Sequence, residues 1–290
     1  MFKSPSLGLA ITLLLAGTAQ AKNVATITQT GDMQMLTVSQ VAGSSGSATI
    51  DQAGDHNAIL AYQKDSESFG NRQSPANLLK INQIGDHNTI NTINSQPLPF
   101  TGQSNESPGS AANTMTIKQA GQTNEIHYGQ KGFGNAALIR QGQGASRDAA
   151  SQNVATVGQY QSANEATITQ DGTRNELIAR QNAGHDTVFV KQDGFVNTIH
   201  VNQAHDDAAS VVQTGSSQFI EIKQFDSLES AVVIQGGNDN DLLLLQALPL
   251  DSATLTQNGG FNMLTVTQGT VGAVANVNQS GVINHITLNQ

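Results

Sequence analysis

Between residues 159 and 290 the chain repeats one short alternation of polar and apolar positions. In Asn164-Glu165-Ala166-Thr167-Ile168-Thr169-Gln170, one set is Asn164, Ala166, Ile168 and Gln170, and the other is Glu165, Thr167 and Thr169. Period-2 alternation puts two such sets on opposite faces of a β-strand. The closing glutamine returns at Gln159, Gln170, Gln181, Gln192, Gln203, Gln213, Gln224, Gln235, Gln246, Gln257, Gln268, Gln279 and Gln290, in steps of 11 residues except the 10 from Gln203 to Gln213. A seven-residue strand and a four-residue turn, repeated without interruption, predict an all-β chain wound as a β-solenoid.

Alternate turns differ, so the true repeat is 22 residues. Glycine stands two residues after every other glutamine, at Gly172, Gly194, Gly215, Gly237, Gly259 and Gly281. Strands that precede such a glycine are called A strands. The matching place after the intervening B strands holds Ala183, His205, Asp226, Leu248 and Thr270. The A-to-B turn is therefore expected to need a positive φ that glycine adopts without steric cost, and the B-to-A turn is not.

The register extends toward the N-terminus through Gln29, Gln40, Gln52, Gln63, Gln83, Asn94 in a glutamine place, Gln119, Gln130 and Gln141, with turn glycines Gly31, Gly54, Gly85 and Gly121. Together these make 22 strands, or eleven coils of two facing parallel sheets. Three insertions interrupt the count at 64–76, 95–112 and 142–152, rich in Ser, Gly, Pro, Asn and Asp, and are read as solvated loops. Four of the six prolines lie in them and none lies in a strand, as ladder hydrogen bonding requires. The first two insertions leave B-to-A turns and the third an A-to-B turn, which places them on different edges.

A strands mostly offer a small inward residue then a larger one, as in Ala166/Ile168 and Ala231/Val233. B strands offer two larger ones, as in Ile220/Ile222 and Leu242/Leu244. Two sheets then face each other across a thin apolar layer flanked by rows of Gln and Asn. Stacked coils set equal side chains ~4.8 Å apart, so each amide row becomes a hydrogen-bonded ladder. An isolated buried amide would be costly, whereas in a ladder its neighbours satisfy it.

Composition narrows the function classes. The chain has no Cys or Trp, 4% aromatic and 12% charged residues, so neither disulfides nor a large aromatic core holds it together. Residues 1–21 have the form of a secretory signal peptide: Lys3, an apolar run from Leu7 to Ala16, and Ala19-Gln20-Ala21 as a cleavage site. The mature chain, 22–290, is expected outside the cytoplasm, with no membrane span. Net charge is -9, an acidic balance that argues against nucleic acid or anionic lipid as a partner.

The unit Gln170-Asp171-Gly172-Thr173-Arg174-Asn175, continuing to Gln181, has the Q-x-G-x-x-N-x5-Q pattern of the curlin repeat. Close matches begin at Gln83, Gln119, Gln192 and Gln279, all in one register, and cover the mature chain outside the insertions. The chain thus resembles curlins, the subunits of curli, the extracellular amyloid fibres of bacterial biofilms. The resemblance implies a secreted, non-enzymatic fibre subunit without cofactor or metal. Its partner is itself, head to tail, together with other curli-type subunits and secretion factors. Two features depart from the family. The usual Ser six residues before the A glutamine is mostly Asn, Asp or Glu here, and only Lys22 separates the leader from the first strand.

Other chemistry is weaker. Asp55-His56, Asp86-His87 and His205-Asp206-Asp207 place acids beside histidines, but no nucleophile recurs near them and turns favour Asp anyway. Gly236-Gly237-Asn238-Asp239-Asn240-Asp241 resembles a calcium-binding nonapeptide repeat once only, against an 11-residue period. Outward Thr-x-Thr pairs such as Thr167/Thr169 give way elsewhere to Phe189/Lys191 and Val232/Ile234, which no regular binding lattice tolerates. The alternative function is a monomeric secreted adhesin that binds ligand through its inserted loops.

The ends favour the polymer. The first strand starts one residue after the leader and the last closes at Gln290, leaving no residues for a cap over open strand edges. Head-to-tail stacking of eleven coils predicts an axial repeat of about 53 Å. Finally, six residues before the A glutamine, Asp186, Asp207, Glu229 and Asp251 fall in succession. Carboxylates ~4.8 Å apart repel by roughly 0.9 kcal/mol per pair in water and about 3.5 at an effective dielectric of 20. The row is expected to be solvated at the strand start, partly protonated, or bridged by cations.

Overall fold

The computed structural model describes residues 10–16, 24–41, 46–64, 77–91, 103–104, 112–142 and 152–290. Among them there is no helix, and the strands pair in parallel as a β-solenoid. The chain divides into an N-terminal unit, Met1–Gln152, and a C-terminal unit, Asn153–Gln290.

In the C-terminal unit the A strands are β13 (Glu165–Gln170), β15 (Thr187–Phe195), β17 (Ala208–Ser216), β19 (Ser230–Asn238), β21 (Ser252–Gly260) and β23 (Val274–Val282). They stack in that order. The B strands stack as β12 (Val154–Ser162), β14 (Glu176–Gln181), β16 (Thr198–Gln203), β18 (Phe219–Gln224), β20 (Asp241–Gln246), β22 (Met263–Gln268) and β24 (His285–Asn289). Pairing keeps the predicted register: Gln170 lies opposite Gln192, Gln213 opposite Gln235 and Gln235 opposite Gln257. The inward places are the predicted ones, with Ile168, Val211, Val233, Ile220, Ile222 and Leu244 all at 0% exposure.

Most A strands run longer than seven residues. In β17 and β19 the pairing continues past the glutamine through Gly215 and Gly237 to Ser216 and Asn238. Stacked glycines let the backbone ladder carry on into the corner, whereas B strands from β14 to β22 stop at or before their glutamine.

The N-terminal unit repeats the plan. Its A strands are β2 (Val24–Thr30), β4 (Ser47–Ala53), β6 (Leu78–Asp86), β9 (Thr114–Gln122) and β11 (Ala136–Gln141). Its B strands are β3 (Met35–Val41), β5 (Ala58–Lys64), the pair β7 (Thr89–Asn91) and β8 (Gln103–Ser104), and β10 (Glu125–Phe133). Asn94, expected in a glutamine place, lies outside the described residues. The strand divides after Asn91, and Gln103 stands opposite both Gln63 and Gln130. Gln103 thereby takes the backbone register of the glutamines. The second insertion is thus split by β8, and Lys64 belongs to β5 rather than to a loop. The insertion interiors, at 65–76, 92–102, 105–111 and 143–151, lie outside the described residues.

Residues 1–21 were expected outside the fold, yet Ala10–Ala16 forms an extra edge strand, β1, paired over seven residues with β3. An open parallel edge offers a row of unmet N–H and C=O groups, and an apolar segment in the same chain can fill it.

Candidate functional site

The glutamines form two ladders of one polarity. In the A ladder each side-chain Nε2 donates to the Oε1 of the next coil: Gln29 to Gln52 at 2.6 Å, Gln52 to Gln83 and Gln83 to Gln119 at 2.8 Å, and Gln119 to Gln141 at 2.8 Å. In the C-terminal unit Gln170, Gln192, Gln213, Gln235 and Gln257 donate in turn, ending on Gln279, at 2.7–2.9 Å. The B ladder runs from Gln159 through Gln181, Gln203, Gln224, Gln246 and Gln268 to Gln290 at 2.9–3.4 Å. The second Nε2 proton crosses to a carbonyl of the opposite sheet, as from Gln235 to Phe219 O at 3.2 Å. A buried amide is fully used in this way. At the start of the A ladder, Gln29 Oε1 has no hydrogen-bond partner.

The turn glycines are required twice over. Gly31, Gly54, Gly85, Gly121, Gly172, Gly194, Gly215, Gly237, Gly259 and Gly281 all have φ between 89° and 125°. A Cβ on Gly237 would also lie 1.9 Å from the carbonyl oxygen of Gly259 in the next coil. The prediction that only A-to-B turns use positive φ needs correcting. Both turns place a left-handed residue immediately before the next strand's leading polar residue: Arg174, Val196, Asp239 and Phe261 on one edge, His185, Asp206, Leu228 and Leu250 on the other. Because these positions tolerate almost any side chain, no sequence signal marks them. The left-handed cost at Val196 or Ile283 is borne by the bond each amide makes to the preceding coil, at 3.0 Å in both cases.

Each edge carries a second column, the buried residue that opens each strand. Before the B strands this column is mostly asparagine: Asn153, Asn175, Asn197, Gln218, Asn240, Asn262 and Asn284 in the C-terminal unit. Its Oδ1 accepts the backbone N–H of the next member, as from Asn197 to Asn175 at 3.0 Å. Its Nδ2 donates to the carbonyl of the first turn residue, as from Asn240 to Gly236 O at 2.8 Å, and to the glycine carbonyl of the next coil, Gly259 O, at 3.1 Å.

Before the A strands, Asp186, Asp207, Glu229 and Asp251 occupy the same kind of place and are 0–1% exposed. The solvated reading of this row is therefore overturned. Asp186 Oδ1 accepts from Asp207 N at 3.1 Å, and Asp207 Oδ1 from Glu229 N at 3.1 Å, just as asparagine does. The other oxygen accepts turn amides: Asp186 Oδ2 from Ala183 N at 3.4 Å, and Asp207 Oδ2 from Ala204 N at 3.0 Å and His205 N at 3.3 Å.

The choice between amide and acid follows the turn peptide. Where the second residue after the glutamine is left-handed, as at Gly132, Gln161 and Gly172, the preceding carbonyl points inward and Asn135, Asn164 or Asn175 donates to it. Where that residue is Ala183 or His205, neither of which has positive φ, the same peptide is turned over and its N–H calls for an acceptor. Gln161 is the position that a glycine-based reading could not find.

Burial raises the Asp186 carboxyl to about 6, and the Asp207 carboxyl is raised for the same reason. Glu229 is pushed up to about 8 by burial and then by the charges of Asp207 and Asp251.

The remaining candidates fall apart as sites. His56 and His87 stack at 4.7 Å between ring centroids, while Asp55 and Asp86 accept backbone amides of the preceding coil instead of orienting those rings. His185 and Asp206 make an exposed pair at 3.2 Å. Among the described residues no three metal-ligating side chains gather. Among the described residues no helix is long and apolar enough to cross a membrane. No family model matches the chain, and no curated protein is similar to it.

Proposed function

We propose that this chain is a secreted structural subunit of a curli-like extracellular fibre, non-enzymatic, polymerising head to tail for adhesion and biofilm matrix. The observation that carries the reading is the in-register parallel stack of glutamines, a ladder of one polarity that a further copy can extend. Leu264 and Val266 in β22 are fully buried, but Ile286 and Leu288, their partners in β24, are half-buried, and Ile283 is 78% exposed. Such an edge offers strand hydrogen bonds and apolar side chains together, which templates further pairing. Ladder polarity supports the direction. Nε2 donors point toward the C-terminal coils, and Gln29 Oε1 at the other end lacks a donor. In the proposed fibre the C-terminal coil of one molecule stacks on the N-terminal coil of the next. The repeat pattern supports the family resemblance, and the leader supports export.

Gly281 provides the test. A Cβ there meets only Asn284 Nδ2 at 3.0 Å, whereas at Gly259 it would meet the Gly281 carbonyl oxygen at 1.8 Å. The place beyond Gly281 is where an incoming Gly31 carbonyl would sit. Purified chain at micromolar concentration should form thioflavin-positive fibres. Gly281→Ala should fold with only the left-handed penalty, about 1–3 kcal/mol, yet elongate at least tenfold more slowly. Wild-type protein that stays monomeric for days would end this reading.

A further inference from the structure

One feature has no role in the ladders or in the ends: the acid column breaks between Glu229 and Asp251. Up to that point each carboxylate accepts the backbone N–H of the next member. Glu229 carries one methylene more than Asp207, and its side chain receives no bond from the Asp251 amide. Neither Glu229 oxygen has a hydrogen bond of normal geometry, nor has Asp251 Oδ2, although both residues are at most 1% exposed. The backbone amides of Phe225 and Asp226 come near enough only to temper the Glu229 charge. Asp251 Oδ1 is used, accepting from Ala273 N at 2.9 Å. Two buried carboxyl groups in adjacent coils thus carry three acceptor atoms between them without a hydrogen bond of normal geometry.

A carboxylate pair has one way to mend this from within. A proton on one group turns an acceptor into a donor, which can bond the orphan oxygen of the other and removes one of the two like charges. We propose that Glu229 and Asp251 form a proton-binding pair, and that the coils from β17 to β22 close fully only when it is loaded, making the fold of the C-terminal unit pH-operated.

Among the described residues no cation acts on Glu229 itself. The charges acting on the column are its own members and His205, which lies beside Asp186 and Asp207. The neighbouring Gln224 and Gln246 are neutral and committed to their ladder. Lys223 is held by Glu221 at 2.8 Å on the outer face of β18, and His185 by Asp206 at 3.2 Å in solvent.

The direction of the effect follows from linkage. Burial lifts Glu229 to about 8 and Asp186 to about 6, above the ordinary carboxylate range. The folded chain therefore holds protons that the unfolded chain has released. That contribution is fully present below the unfolded carboxyl pKa of about 4, and is lost as pH rises through about 6 and then about 8. Stability should decline across this window and level off above it.

The test uses the full chain, kept dilute, with urea unfolding followed by far-UV circular dichroism from pH 5 to 9 and potentiometric proton counting at pH 7. The wild-type midpoint should fall as pH rises, and refolding at pH 7 should take up about one proton per chain on account of Glu229. Glu229→Gln, whose amide can itself donate to Asp251 Oδ2, should abolish that uptake and flatten the upper part of the profile. Asp239→Asn, in a turn on the opposite edge, should change neither. If Glu229→Gln fails to fold, Asp251→Asn removes the same pair. Unchanged uptake in the variants, or a wild-type midpoint constant from pH 6 to 9, overturns the proposal. So does calcium at pH 9 restoring the acid midpoint, which would make the column a cation site. Unfolding is measured without assembly, so the outcome is separate from whether the chain forms fibres.

Discussion

The two edges of the C-terminal unit solve one problem with opposite chemistry. On the A-to-B edge a left-handed glycine turns a carbonyl inward, and asparagine both accepts from the next coil and donates to the turn. On the B-to-A edge the peptide is reversed at Asp186 and Asp207, so two acceptor oxygens serve and an acid replaces the amide. The first arrangement is neutral, so repeating it accumulates no charge. The second accumulates charge in a buried row, and needs a proton where its hydrogen bonding fails. A repeat can therefore keep one backbone period while its edges differ in how they respond to pH.

The sharpest way to break the comparison is to remove a glycine. Gly237→Ala would set a Cβ 1.9 Å from a backbone oxygen of the next coil, at a positive φ of 101°. A loss of about 4 kcal/mol is expected, read as a collapse of the urea midpoint. At the matching place on the other edge, Leu248→Ala should cost less than about 1 kcal/mol, because no left-handed backbone is needed there. Equal losses would show that the edges do not differ in turn geometry.

Exchanging the column chemistry comes next. Asn240→Asp would aim a carboxylate oxygen at the Gly236 and Gly259 carbonyls, which now receive its Nδ2 protons. A loss of about 2–3 kcal/mol at neutral pH is expected, shrinking in acid as the new carboxyl takes a proton. A variant as stable as wild type at pH 8 would mean that the inward carbonyls do not dictate the amide.

The smallest effect has the opposite sign. Gln218 is the longer homologue in the asparagine column, and its Oε1 is buried without a partner. Its Nε2 still reaches Thr214 O and Gly237 O, so only the acceptor is lost. Gln218→Asn should restore the bond to the Asn240 amide and stabilise the chain by about 1 kcal/mol, seen as a raised midpoint with an unchanged slope. Gln34, with an unpartnered Oε1 in the first coil, marks the same kind of defect.

Much of this was legible in the residues alone. The 22-residue register, the assignment of A and B strands, the inward apolar pairs, the glutamine ladders and the glycine places are all written as repeats along the chain. A strand's alternation and its distance to the next strand depend only on local spacing, so counting recovers them. Tertiary structure decided three matters that counting could not reach. Gln103 stands opposite Gln63 and Gln130, a pairing that a count of eleven along the chain does not reach. Both edges use a left-handed residue, since the bond to the preceding coil outweighs a cost that no side chain advertises. The acid row is dry, because exclusion of water comes from the coils stacked above and below it, and no single repeat contains them.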